Sequence, residues 1–192
     1  MIERTISKAE INEKPILQYE GPLSIVQSDE ELAIALSEMK QETLLGFDTE
    51  TRPAFRKGES YLPSLLQLGG ESHVWLFYLT KLNDLESLFD VLADPQIVKA
   101  GVAIDRDIIE LRELKEFKAS GFRDVGKMAE ERHFRKTGLR PLAALLLNGR
   151  VSKGAQVSNW AAFPLSEKQI TYAATDAWVS RDLYLALEKI RP

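Results

Sequence analysis

The sequence predicts an α/β protein in which a mixed β-sheet is flanked by helices. Three patterns predict it: apolar runs of strand length fill the first half, strands and helices alternate in the middle, and the last third carries apolar residues three and four apart. A chain of 192 residues, 44% hydrophobic and 28% charged, has ordinary globular composition and is expected to form one domain over 1–192.

"LSIVQ" (23–27) reads as a strand, and "SDEELAIALSEMK" as a helix opened by a capping box between Ser28 and Glu31. "TLLGFDTE" is a buried strand, followed by an exposed loop over 51–60 that contains Pro53, Gly58 and four charged residues. "LPSLLQLGG" and "HVWLFYL" are two strands turning at Gly69 and Gly70, which completes a meander. "LNDLESLFDVLAD" is helical and stops at Pro95, "QIVKAGV" is a short buried strand, and "IDRDIIELRELKEF" is helical again. The remainder reads as helices in "DVGKMAEERHF", "GLRPLAALLLNG" and "SEKQITYAATDAWVSRDLYLALEKI", the last with a capping box between Ser166 and Gln169. His73 reads as a strand residue, His133 as a solvated helix residue, and "ERHFRK" as a helix face.

The absence of cysteine excludes disulfides, thiolate nucleophiles and zinc–thiolate sites. The first residues, "MIERTISKAEINEK", lack the apolar core of a signal peptide, and no apolar run approaches membrane-spanning length, so a cytoplasmic protein without a membrane partner is expected. Twenty-five basic against 29 acidic residues leave a net charge of −4, which at first argues against a nucleic-acid partner. Two bound divalent cations would bring that total to about zero.

The acids are the informative residues. In "LLGFDTETRP" (44–53), Asp48 and Glu50 lie two apart at the end of a strand and leave the same face of the sheet. Such a pair costs free energy unless one acid is protonated or a cation lies between them. About four acid pairs of this spacing arise by chance in such a chain, and a strand end facing water is the plain alternative. In "YAATDA", Tyr172 and Asp176 lie one helical turn apart, a spacing expected by chance about a quarter of a time here. A half-buried tyrosine bonded to an aspartate would account for that pair alone. In "KAGVAIDRDIIEL", Asp105 and Asp107 fall in a first helical turn, where the helix dipole favours acids. Ile104, Ile108 and Leu111 form an apolar stripe to whose centre Asp107 lies nearer than Asp105 at about 100° per residue, so Asp107 is expected to face the sheet and Asp105 to take a capping position.

These three segments, over about residues 21–187, resemble the DEDD 3′-to-5′ exonucleases. "FDTE" is similar to the first motif, "KAGVAIDRDIIEL" to the second, and "YAATDA" to the third in the tyrosine-bearing subclass. "SNWAAFPLSEKQITYAATDA" and the Arg-Pro after the first motif are most similar to the Werner syndrome exonuclease domain, with RNase D and the proofreading domain of DNA polymerase I more distant. Ala103 departs from the polymerase pattern, which has asparagine there. The resemblance implies an RNase H-like fold, hydrolysis at the 3′ end of DNA or RNA, and release of nucleoside monophosphates. It implies that Asp48, Glu50 and Asp176 hold one ion, that Asp48 and Asp107 hold a second, and that Tyr172 positions the attacking water. An all-carboxylate set suits Mg²⁺ or Mn²⁺.

For the nucleic acid, Arg52, Arg56 and Lys57 lie beside the first motif and Arg150, Lys153 and Trp160 before the third, where they could touch phosphates or stack on a base, though loop charges are often simply solvated. A haloacid-dehalogenase-like phosphatase would need aspartate at both positions of the first motif, and Glu50 argues against it. A catalytically weak or inactive nucleic-acid-binding module is the other alternative. Oligomeric state is left open by the sequence.

Overall fold

The apolar run before Asp48 becomes the middle of the protein. In the computed structural model, which describes residues 4–56 and 58–191, strand β2 (Leu44–Thr51) lies inside a six-stranded sheet. The other strands are β1 (Leu23–Val26), β3 (Pro63–Gly69), β4 (Val74–Tyr78), β5 (Val98–Gly101) and β6 (Phe122–Asp124), in the spatial order β1-β4-β3-β2-β5-β6. β2, β3 and β4 form the expected antiparallel meander, while β1 pairs with β4, and β5 and β6 extend the other side, all in parallel. The helices are α1 (Lys8–Glu13), α2 (Asp29–Glu38), α3 (Leu85–Ala93), α4 (Asp105–Leu114), α5 (Val125–Glu131), α6 (Leu139–Leu146) and α7 (Glu167–Glu188).

Alternation along the strands sorts the core into two layers. Leu45, Phe47, Leu66, Leu68, Trp75 and Phe77 pack on one face with Leu32 of α2, Leu88 of α3 and Leu111 of α4. Leu65, Val74, Leu76 and Tyr78 pack on the other face under Ala173 and Ala174 of α7. β3 is therefore buried at every residue, as a strand covered on both faces must be.

One close approach sets the depth of the site. Gly46 of β2 and Gly69 of β3 are paired, and a Cβ on Gly46 would lie 1.8 Å from the carbonyl oxygen of Ala177. A side chain there cannot be accommodated, so the glycine pair lets α7 settle onto the sheet. Two residues further along β2 comes Asp48, and one residue before Ala177 comes Asp176.

Several local expectations are corrected. Strand β6, read as part of a helical region, is only three residues long, too short to show a period. α1 was not foreseen; its capping box, Ser7 with Glu10, leads a segment over 4–19 that packs on α6 and α7. Ser28 caps Glu31 as expected, but the Glu31 carboxylate accepts from Gln27 rather than from Ser28, so the box is not closed. The Ser166–Gln169 box is complete. Gly69 ends β3, and the turn runs over 70–73, closed by the Gly70 N–H on the His73 carbonyl. His73 precedes β4 and bonds Ser24. "ERHFRK" is no helix face: His133 takes a left-handed φ of 63° beyond α5, and Arg132 is buried, donating to the Met128, Leu187 and Ile190 carbonyls. A helix end leaves carbonyls unsatisfied, and a guanidinium can serve several at once.

Candidate active site

β2 leaves the core carrying Asp48 and Glu50 on the face covered by α7, and α7 brings Asp176 down onto them over the glycine pair. Asp48, Glu50 and Asp176 each offer a carboxylate oxygen within 4.8 Å of the others. Asp48 and Glu50 are half-buried and Asp176 is 4% exposed. They line a cleft of about 260 Å³ together with Tyr172. A second hollow, of about 550 Å³ between α7 and residues 16–18, shares Tyr172 and Asp176 with the cleft.

Asp107, the third residue of α4, lies outside the three-acid cluster. Its Oδ1 accepts the hydroxyl of Thr49, which stands between Asp48 and Glu50 and points to the opposite face of β2. Thr49 is thus a site residue that the sequence reading passed over. So are Leu139, Gln156 and Ser180, which line the cleft and carried no pattern of their own.

The cluster's electrostatics follow from burial among like charges. Burial, then Asp176 and then Asp107, hold the Asp48 carboxyl well above its ordinary range. Burial, with Asp48 next, pushes Glu50 up to about 10. Burial raises Asp176 to about 7, opposed by its bond from Tyr172. Burial also raises Asp107, opposed by Thr49. The Tyr172 phenol is raised by burial first and by Asp176 next. Without a counter-charge the site therefore retains protons that exposed carboxyls would lose at neutral pH.

A divalent cation fits this donor set on two observations. The ligand atoms are all hard carboxylate oxygens in one group, and Asp176 Oδ1 is buried without a hydrogen-bond partner among the described residues. An unpartnered buried carboxylate oxygen is costly, and a cation would satisfy it.

The linkage has a definite sign. Glu50 and Asp176 have folded pKa values above their ordinary 4.5 and 3.8, so their contribution to stability is present below about pH 4 and lost as pH rises through about 7 and about 10. Metal-free protein should lose melting temperature across this window, and saturating Mg²⁺ or Mn²⁺ should restore it more at pH 9 than at pH 6. Thermal scans with and without metal check this; a melting temperature that rises with pH in chelator would contradict it.

The remaining residues separate into those at the rim and those away from it. Arg52 is exposed, with its guanidinium 4.6 Å from the Tyr61 ring centroid. Lys153 is exposed on the segment that contributes Ser152, Gly154 and Ala155 to the larger hollow. Lys57 lies outside the described residues. Arg150 donates to the Lys14 carbonyl and is committed to structure. Trp160, expected to stack on a base, is wholly buried, and its ring lies 5.8 Å from that of Tyr172. A tryptophan in a loop looks available from sequence; here it fills the space beneath α7 and holds the tyrosine ring.

Asp105 does not cap α4. Ile104 occupies the N-cap position without a side-chain bond, and Asp105 forms an exposed 2.6 Å ion pair with Lys127. Asp105→Asn should therefore shift the melting temperature only slightly and leave activity intact, whereas Asp107→Asn should abolish hydrolysis with the fold retained. Paired melting and nuclease assays decide; the reverse pattern would exchange the two assignments.

This sheet, crossed by one long helix with acids at the crossing, is the RNase H-like architecture of the DnaQ-like exonucleases. The chain superposes on the crystal structure of the Aedes aegypti Nibbler EXO domain with a TM-score of 0.81, at 24% identity over 91% of each chain. It superposes on Escherichia coli RNase D with a TM-score of 0.77, at 22% identity over 87% of this chain and 45% of that one. At these identities the likeness is one of fold.

The family follows from sequence: the 3′-5′ exonuclease family model matches residues 23–191, and the chain belongs to that family. It is 30% identical over 192 residues to the mouse bifunctional 3′-5′ exonuclease/ATP-dependent helicase WRN, covering 90% of this chain and 13% of that protein. It is 30% identical over 154 residues to an Arabidopsis thaliana 3′-5′ exonuclease, covering 76% of this chain and 53% of that protein. It is 31% identical over 155 residues to Haemophilus influenzae ribonuclease D, covering 78% and 37%. The chain thus spans about half or less of the length of these relatives. Among the described residues, no helix is long and apolar enough to cross a membrane.

Proposed function

We propose that this chain hydrolyses phosphodiester bonds one nucleotide at a time from the 3′ end of a nucleic acid, releasing nucleoside 5′-monophosphates. The observation that carries this reading is the convergence of Asp48, Glu50 and Asp176 around the unpartnered Asp176 oxygen. Asp48, Glu50 and Asp176 would hold one Mg²⁺ or Mn²⁺, and Asp48 with Asp107 a second. Bound there, the pair of ions would supply an activated water and charge stabilisation for the leaving 3′ oxygen.

The chain's own residues do the rest. Tyr172 borders both hollows. Its phenol, raised by burial and Asp176, stays protonated through the working pH range, so it orients the attacking water by hydrogen bonding and does not serve as a base. Trp160 and the α7 backbone fix that ring in place. Leu139 and Gln156 line the same cleft as the acids and would contact the terminal nucleotide there. Arg52 and Lys153, both exposed near the rim, are placed to meet backbone phosphates. Ribonuclease D relatives and the RNA-bound Trypanosoma brucei RNase D, which shares the fold with a TM-score of 0.76 at 19% identity, support a nucleic-acid substrate.

The test is digestion of 5′-labelled DNA and RNA oligonucleotides side by side in Mg²⁺, in Mn²⁺ and in EDTA. Stepwise shortening from the 3′ end that vanishes in EDTA is expected. Full activity in excess chelator, or internal cuts in a circular substrate, would overturn the reading. Metal binding without hydrolysis of any oligonucleotide would leave the inactive binding module in its place.

A further inference from the structure

The second unpartnered group near the acids is not an acid. Gln67 of β3 has no solvent exposure, and among the described residues neither its amide nitrogen nor its amide oxygen has a hydrogen-bond partner. It is the single polar residue in the run Leu65–Leu68, whose leucines are all fully buried. An amide in such surroundings is less favourable than a leucine of similar size unless it finds a partner.

The register shows which partner is within reach. Asp48 and Gln67 are directly opposed across the antiparallel β2–β3 ladder. Opposed residues place their side chains on one face of the sheet at cross-strand contact distance. The preceding pair on that face is Gly46–Gly69, which lies against Ala177, and the following one is Glu50–Leu65. Gln67 therefore sits on the α7 side, beside the cluster and shielded from solvent. The Asp48 carboxylate accepts the Thr49 N–H through Oδ1, and among the described residues its other oxygen accepts no hydrogen bond.

We propose that Gln67 is a positioning residue for the metal ligands, donating its amide N–H to the Asp48 carboxylate when the cluster holds a cation. This rests on the metal-dependent reading of the same site. A ligating carboxylate that accepts a second hydrogen bond is held in one orientation toward the metal site, and loss of such a partner costs metal affinity. The polar residue is thus unfavourable in the metal-free fold and favourable in the loaded one.

Gln67→Leu and Gln67→Met in the full chain test this, with Mn²⁺ affinity measured by calorimetry, melting temperature in chelator, and the Gln67 side-chain amide resonances of wild type followed during Mg²⁺ titration. The expected result is an unchanged or higher melting temperature without metal, Mn²⁺ affinity weakened about 10-fold or more, and wild-type amide resonances that shift on Mg²⁺ addition. Wild-type Mn²⁺ affinity in both variants, or amide resonances that Mg²⁺ does not move, would overturn the proposal. Should neither variant fold, the resonances of the wild type decide alone. Failure of the wild type itself to bind Mn²⁺ would instead overturn the underlying metal-site reading.

Discussion

Asp176→Asn is expected to abolish detectable hydrolysis while raising the melting temperature of the metal-free protein at pH 8. The two effects have one cause. Asp176 is 4% exposed, shares its surroundings with Asp48 and Glu50, and leaves Oδ1 without a partner. Its pKa, raised by burial to about 7, means that at pH 8 it is largely ionised although it is buried away from water. A neutral amide of the same shape removes that buried charge and removes the ligand charge with it. For a protein of this length each kcal/mol relieved is worth about 2–4 °C in melting temperature. At pH 4, where the folded carboxyl is protonated and the unfolded one, with its ordinary value of 3.8, is only about half ionised, most of the gain should disappear. Melting curves of both proteins at pH 4 and pH 8 in EDTA, with a nuclease assay in Mn²⁺, test this; a variant that is less stable at pH 8 would show that Asp176 is a stabilising structural acid.

Tyr172→Phe is expected to lower turnover by about one to three powers of ten with KM nearly unchanged. The substitution removes one hydroxyl and no charge. The ring stays packed against Trp160, so the wall that meets the substrate is preserved. Because burial and Asp176 raise the phenol above its ordinary range, it does not titrate in the working range, and the variant's pH–rate profile should keep the wild-type shape. Loss of an alkaline limb in the variant would instead identify the tyrosine as an acid–base group. Wild-type turnover would make it structural.

Much of the fold and most of the cluster were legible in the sequence, for reasons that differ by residue. Five of the six strands could be read because each is an apolar run with the strand period or a fully buried composition; β6, three residues of which none is fully buried, had no pattern to read. Asp48 and Glu50 were legible because period two puts both on one face of a strand, and Tyr172 with Asp176 because period 3.6 does the same on a helix. The helical wheel also separated Asp107, bonded to Thr49, from Asp105, which pairs with Lys127. In each case the geometry is local, so the chain's own repeat specifies it.

Contacts between distant segments were not legible. Trp160 and Arg132 look exposed by residue type and neighbourhood, yet both are buried, because availability depends on what another part of the chain lays over them. Gln67 shows the same limit: its position opposite Asp48 depends on the register of β3 on β2, which no property of "LLQLG" alone specifies. The sequence by itself determined which acids exist, which faces of their own elements they occupy and which family they belong to. The tertiary structure alone decided that three of them meet, because that depends on how deeply α7 seats on the Gly46–Gly69 pair, a packing distance between residues far apart in the chain.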